Sequence, residues 1–386
     1  MCIDPEISQT EVSRRGLLRI GGGLAVGAGA AGWMAPSTAQ AAVSRGHTHT
    51  NRVVLLGVAG GPPPEIDRAG ISSAVVVGDR VYVVDCGRGS VTQYAQSRLK
   101  FRNLKGIFVT HLHADHVIDF YDYAALPGFG VNDSDDGIVP PTGTDPRVQV
   151  YGPGSAGGLP PADDPALPTI AEGNPTPGIA DLFRLQTEAF AYSTNLFMRR
   201  AGIPDPRTLF DIHEISHPDT LVADYNNRAP DMEPFVIHDD GVVRVSAILV
   251  PHGPVYPSYA FRFDSEEGSV VFSGDTAASD NIVRLAQGAD MLVHEVIDFN
   301  FYVNFLGLDP ALLQHLLRSH TDVHDLGPIA ERAEVDHLVL THLVPADPRL
   351  MSAGTWRKNV QPGYSGRVHV GDDLMSLPLL RRRRAG

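Results

Sequence analysis

Four apolar runs in this chain stop on residues that bind metals. "GIFVT" runs into "HLHADH", which places His111, His113, Asp115 and His116 within six residues. "ILVPH" ends in His252, "VVFSGD" in Asp275 and "HLVLTH" in His342. Short Val/Ile/Leu-rich runs bounded by Gly, Pro or Asp read as buried strands. A strand fixes the backbone, and the turn after it aims side chains at one point. Four donors in one turn need partners from elsewhere to complete a site. The three later strand ends supply them, so the fold has to bring four strand ends to a common edge.

An isolated buried histidine is usually a hydrogen-bonded core residue. Four such groups packed against a core strand without a metal would leave polar atoms unsatisfied, and each would carry a desolvation cost. Imidazole and carboxylate together suit Zn²⁺, with Mn²⁺ or Fe as alternatives.

Other strand-like segments precede and follow these: "RVVLLGVA", "SSAVVVG" and "RVYVVD", then "YAFRFD" and "DMLVHE". Between the later ones lie "SDNIVRLAQGA" and "DLGPIAERAEV", apolar at helical spacing. Strand clusters with helices between them predict an α/β protein of two sheets with helices packed outside. The 386 residues are 43% hydrophobic and 20% charged, with a formal net charge of -14. Nothing in that balance suggests a surface for nucleic acid or anionic membrane.

Residues 130–240 differ in style. They carry Pro-rich loop signals and one helix-like stretch around "IADLFRLQTEAFAYSTNLFMRRAG". Eighteen Asp or Glu stand against six Arg and no Lys, a net of -12. The segment reads as an acidic insertion on the core domain, and loops this long are often lids, binding walls or spacers.

The first 41 residues read as a targeting segment. Arg14 and Arg15 precede a weakly hydrophobic Gly/Ala run and a small-residue site at Ala39-Gln40-Ala41. This resembles a twin-arginine export signal and predicts a periplasmic or extracellular protein, with the export machinery as a partner. The run is short and glycine-rich for a membrane anchor, and no later run is long enough to span a bilayer. Cleavage after Ala41 would remove Cys2 and leave Cys86, which excludes a disulfide within the mature chain. Cys86 follows "RVYVVD" and reads as a packed small residue. Residues 42–51 read as a linker that includes His47 and His49, and residues 379–386 as a basic tail through Arg381 to Arg384.

In its order of motifs the chain resembles the metallo-β-lactamase-fold hydrolases, in the branch of ribonuclease Z and its relatives, including secreted arylsulfatases. The resemblance runs over residues 52–378 outside the 130–240 segment. It rests on "DCGRGS", "IFVTHLHADH", "VPHGPVYPSYAFRF", "VFSGDTA", "MLVHE" and "LVLTH". It implies an αβ/βα sandwich with two divalent metal ions at the edge between the sheets. His111, His113 and His252 would hold one ion, and Asp115, His116 and His342 the other. Asp275 would bridge them. Such a pair can share and activate a hydroxide, which Asp115 could orient or deprotonate. His294 and Glu295, in "MLVHE", fall where relatives carry His-Glu and would support the site from behind the ligands, or simply close the strand. By analogy alone the resemblance admits a homodimer.

Three departures bear on the substrate. The chain looks exported, whereas ribonuclease Z works on tRNA in the cell. The acidic segment would repel a polyanion. "THLVPAD" replaces the Ser-Arg-Tyr motif expected after the last histidine. The sequence reading is therefore an exported hydrolase of small-molecule esters, sulfate or phosphate esters first. The alternatives are a ribonuclease Z-like phosphodiesterase or endonuclease, a lactonase or biosynthetic hydrolase, and a metal-binding protein without turnover. His320, 22 residues before His342, matches the spacing of the family's proposed proton donor. Phe272 stands where the family places that donor's glutamate partner. His324, one helical turn on, competes with His320, and a helix-capping role for His320 in "SHTD" is the alternative. Tyr256 and Tyr259 could line a pocket or serve as strand residues.

Overall fold

A computed structural model of the chain describes residues 51–126, 147–162, 164, 166–306 and 310–381. Residues 1–41, read above as an export signal, the linker histidines His47 and His49, and Arg382 to Arg384 lie outside the described residues. In chain order, β1 (Arg52–Gly57), β2 (Ser72–Val77), β3 (Arg80–Val84), β4 (Leu104–Phe108), β5 (Val148–Pro153) and β6 (Phe210–Ile215) line up side by side in one sheet. β7 (Phe235–Asp239), β8 (Arg244–Leu249), β9 (Tyr259–Ser265), β10 (Gly268–Phe272), β11 (Met291–Ile297), β12 (His337–Val344) and β13 (Arg367–Val370) form the second. β14 (Ser376–Pro378) returns to pair with β1. Both sheets are mixed: β3 to β6 run parallel, as do β10 to β13. Helices cover the outer faces, so the fold is the expected αβ/βα sandwich.

The period-two alternation of the strands divides two cores. Val53 and Leu55 of β1, Val75 of β2, Tyr82 of β3 and Phe108 of β4 join one buried cluster with Phe261, Phe263, Val293 and Leu340 of the second sheet. Val54, Leu56, Val76, Val83 and Ile107 point the other way, onto Tyr94 and Phe183 of the helices Ser90–Gln96 and Ile179–Ala189. Burial of each such side chain contributes about 1.5–3 kcal/mol, and a one-residue slip in register would reverse every face. Cys86 is fully buried in the second cluster, a packed small residue as expected.

Three features correct the sequence reading of residues 130–240. β5, β6 and β7 belong to the two sheets, so the segment is in part sheet framework rather than an insertion. The long helical pattern divides at Phe190 into Ile179–Ala189 and Ala191–Ala201. β6 and β7 close the far edges of their sheets, where one flank is open to water and polar residues are tolerated. Their sequences, "FDIHEI" and "FVIHD", are correspondingly poor in apolar alternation.

Candidate metal centre

The donor turn is anchored one residue before it begins. The Phe108 ring lies between the sheets, 5.0 Å from Phe263 and 5.9 Å from Phe261 between centroids, and stacks on Tyr151 at 5.2 Å. Thr110, next but one, donates its N–H to Asp85 Oδ1 at 2.8 Å, and its hydroxyl touches both carboxylate oxygens. Asp85 also accepts from His116 Nδ1 at 2.9 Å. That bond fixes the His116 tautomer and turns Nε2 toward the site. Gly87 lets the two segments approach, since a Cβ there would stand 2.6 Å from the Asp115 carbonyl. Asp85 itself holds φ at 58°, a left-handed conformation that costs energy for any residue with a Cβ.

The remaining donors come from the second sheet. His252 follows β8, and its Nδ1 donates to the Ser319 carbonyl at 2.8 Å. Asp275 follows β10 through Gly274, at φ 58°, where a Cβ would lie 2.7 Å from the Tyr259 carbonyl. His342 sits inside β12 at a bulge. Glu295 and Val296 pair with Thr341 and Leu343, leaving His342 as the additional residue, with φ at 43°. Bulges re-aim side chains, and this one delivers the imidazole to the edge of the sheet. Backbone bonds clamp the two sheets there: Leu343 N–H to Val58 O at 2.9 Å and Tyr259 N–H to Thr110 O at 3.0 Å.

All seven sequence-predicted donors converge. His111, His113, His252 and Asp275 offer atoms within 4.8 Å of one another, and so do Asp115, His116 and His342. Asp275 connects the two groups. Its Oδ2 lies 3.2 Å from His342 Nε2, 3.8 Å from His252 Nε2 and 3.9 Å from His111 Nε2, while Oδ1 lies 3.4 Å from His116 Nε2. Asp115 Oδ2 is 3.5 Å from His342 Nε2.

The electrostatics suit a cation. Burial, reinforced by the neighbouring imidazoles, pushes His111 well below its usual pKa, and burial takes His252 down to about 3. Burial also lowers His113. These rings are therefore neutral and can offer lone pairs. Burial favours the neutral acid at Asp275, but His342 and His116 outweigh it and hold the carboxyl well below the usual range. Burial likewise opposes ionisation of Asp115, and the imidazoles of His342 and His116 bring it to about 2. Burial opposes a charge on His116, but Asp275 and Asp85 raise its pKa well above the ordinary value. Four buried atoms aimed into this space, His111 Nε2, His116 Nε2, Asp115 Oδ1 and Asp275 Oδ1, make no hydrogen bond. Orphaned donors and acceptors of this kind are costly unless something binds them, and a mixed imidazole–carboxylate set fits divalent cations.

His320 stands against this cluster, its ring 5.1 Å from that of His252 and 5.7 Å from that of His342. Its Nδ1 donates to Glu295 Oε1 at 3.2 Å. The same carboxylate oxygen receives the N–H groups of Thr276 and Thr321. Burial works against a charged His320, but the Glu295 carboxylate raises it to about 9. Phe272 is packed in the core, as its place at the end of β10 requires. Its register partner in β11 is Val293, and Glu295 lies two residues beyond on the same parallel strand. The carboxylate missing at 272 is thus delivered from the neighbouring strand. His320 does not cap the helix that follows it, because Asp322 accepts from His324 N–H at the start of Val323–Arg332. His324 is half-exposed and bonded to Asp322, away from the donors. His294 faces the other way along β11, with Nδ1 on the Glu295 carbonyl, and joins none of the donor groups. The supporting role expected of the His-Glu pair falls on Glu295 alone. Asp85, which sequence reasoning missed, ends the apolar run "RVYVVD", the same signal that marked the other donors.

This fold and donor set define a metallo-hydrolase of the metallo-β-lactamase fold. The model of the metallo-beta-lactamase superfamily matches residues 67–169. The chain is 31% identical over 331 residues to a ribonuclease Z of Mycolicibacterium paratuberculosis, which spans 83% of this chain and 96% of that protein. It is 29% identical over 335 residues to a ribonuclease Z of Mycobacterium bovis, with 86% and 99% coverage. Among solved structures, the short form of human tRNase Z aligns with a TM-score of 0.54 at 19% identity over 85% of this chain and 99% of that one. A metallo-beta-lactamase fold protein from Bacillus subtilis aligns at 0.53 and 18% identity over 84% and 98%. These two show likeness of fold alone. The chain belongs to the metallo-beta-lactamase superfamily, in its ribonuclease Z-like branch. Among the described residues no helix is long and apolar enough to cross a membrane.

Proposed function

We propose that this chain is a phosphodiester hydrolase working with two divalent cations, zinc first, and with His320 as general acid. The observation that carries the reading is the His320–Glu295 pair set against the donor cluster. Curated relatives named ribonuclease Z support phosphodiester chemistry over the broader small-ester reading. When bound, the cations would supply Lewis acidity and lower the pKa of water. His111, His113 and His252 would hold one, Asp115, His116 and His342 the other, with Asp275 between them. Asp115 Oδ1, which makes no hydrogen bond, would orient a nucleophilic water and take its proton. Glu295 occupies His320 Nδ1, which leaves Nε2 to protonate the departing oxygen. Export through the twin-arginine route remains part of the proposal, on Arg14, Arg15 and the Ala39–Ala41 site.

The test compares leaving groups. An alkoxide needs a proton to depart and a nitrophenolate does not. His320→Ala should slow alkyl diesters by roughly 10²–10⁴-fold and nitrophenyl diesters far less, with metal content unchanged. Equal losses on both would remove His320 from the mechanism, and losses that follow falling metal content would make it a ligand instead.

A further inference from the structure

A cleft of about 440 Å³ adjoins the donor cluster, with His113 in its wall. That volume takes a small organic group. Among its described lining residues there is no Lys, Arg, Asp or Glu, and five of the seventeen are prolines, which offer no N–H. Leu112 and Val117 of the donor turn, Leu182 and Val255 supply apolar surface. The aromatic walls are set in advance. Tyr256 donates its hydroxyl to the Ala223 carbonyl at 3.0 Å, and the Tyr225 ring packs so closely that a Cβ on Gly158 would meet it at 2.7 Å. Leu159, also in the lining, leaves half of its large apolar side chain exposed.

A nucleic-acid backbone is gripped by Arg, Lys and free N–H groups. This cleft provides the opposite surface. We infer that it holds an uncharged apolar group, an aromatic ring or alkyl chain, joined through an ester oxygen to the phosphorus whose ester bond is cleaved in the reaction proposed above. The inference rests on that phosphodiesterase reading for the position of the phosphorus. The substrate class is then a small organic phosphodiester with an apolar arm, not a polynucleotide. The arm is drawn in by removal of its surface from water, while the phosphorus is presented to the donor cluster at the His113 side.

Calorimetric titration of the zinc-loaded chain with phenyl phosphate and with methyl phosphate tests this without requiring turnover. A ring that buries on the order of 60 Å² more apolar surface than a methyl group should bind about tenfold more tightly. Leu159→Arg and Val255→Asp, made separately, should each bring that ratio toward unity. Equal affinities in the wild type, or a preference that both variants leave intact, would overturn the inference. Hydrolysis of methyl phenyl phosphate is followed in parallel. Phenyl selectivity without hydrolysis would uphold the cleft and end the phosphodiesterase reading, and hydrolysis without selectivity would do the reverse.

Discussion

Replacing Glu295 by Gln keeps the volume and one acceptor oxygen for the Thr276 and Thr321 N–H groups, but it removes the charge beside His320. With Glu295 in place, His320 is raised to about 9 against the opposing pull of burial. With a neutral amide the largest raising contribution is gone and burial is opposed only by the Asp275 carboxylate, so the pKa should fall to about 6.5. At pH 8 the protonated fraction would drop from roughly nine-tenths to roughly three-hundredths, about a 30-fold loss of the acid form. Bound cations lower both values, and the difference between them survives. A general acid works below its pKa, so activity is lost as pH rises through it. The kcat profile for an alkyl diester should therefore keep its acid limb, while its alkaline limb moves down by about 2.5 pH units in Glu295→Gln. A nitrophenyl diester measured beside it should scarcely respond. If the alkaline limb stays put, or both substrates fall together with zinc fully retained, Glu295 does not set the proton on His320.

Other consequences can be checked independently. The purified chain should carry about two divalent ions by elemental analysis, and Asp275→Ala should lose much of that load; one ion, unchanged in the mutant, would refute the bridging role. Precursor tRNA should not be cleaved usefully at physiological salt, given the net charge of -12 over residues 130–240; efficient, specific 3′ processing in a gel assay would contradict that. Burial opposes the Asp240 charge, but hydrogen bonds from Tyr82, the Val243 and Val242 amides and Arg80 hold it at about 2. Asp240→Asn should therefore destabilise the chain by about 1 kcal/mol, reduced from the full linkage value because the group is partly exposed. The deficit, read by urea unfolding, should be full above about pH 5 and shrink as pH falls through the ordinary aspartate range toward 2. A gap that persists unchanged at pH 3 would argue against the ionic cause.

Strand ends were the most legible part of the molecule. Seven donors could be read because they close or directly follow four apolar runs, and a buried polar side chain at such a place has few other uses. Asp85 obeys the same rule, closing "RVYVVD", but its partners Thr110 and His116 lie 25 and 31 residues away and no local pattern joins them to it. The partner of His320 was hidden for a different reason. Adjacency across parallel strands depends on register, and no local pattern says that Glu295 lies two positions beyond the partner of Phe272. His294 and Glu295 are consecutive, so a strand must send them to opposite faces, and only the register tells which face meets the site. In residues 130–240 the signal failed because β6 and β7 are edge strands, whose open side accepts Asp, His and Glu.

The donors are divided between the two sheets: His111, His113, Asp115 and His116 belong to the first, and His252, Asp275 and His342 to the second. A chain with only one sheet formed has half a coordination shell. Ion capture must therefore follow docking of the sheets, and a captured ion becomes a cross-link between them. The compartment in which the chain folds is then the compartment that chooses its metal. For a chain exported in folded form, that choice is made before the membrane is crossed and carried outward unchanged. If export follows the twin-arginine route proposed above, the cytoplasmic precursor should hold the same ions, in the same number, as the exported protein. A precursor isolated empty would place metal selection outside the cell.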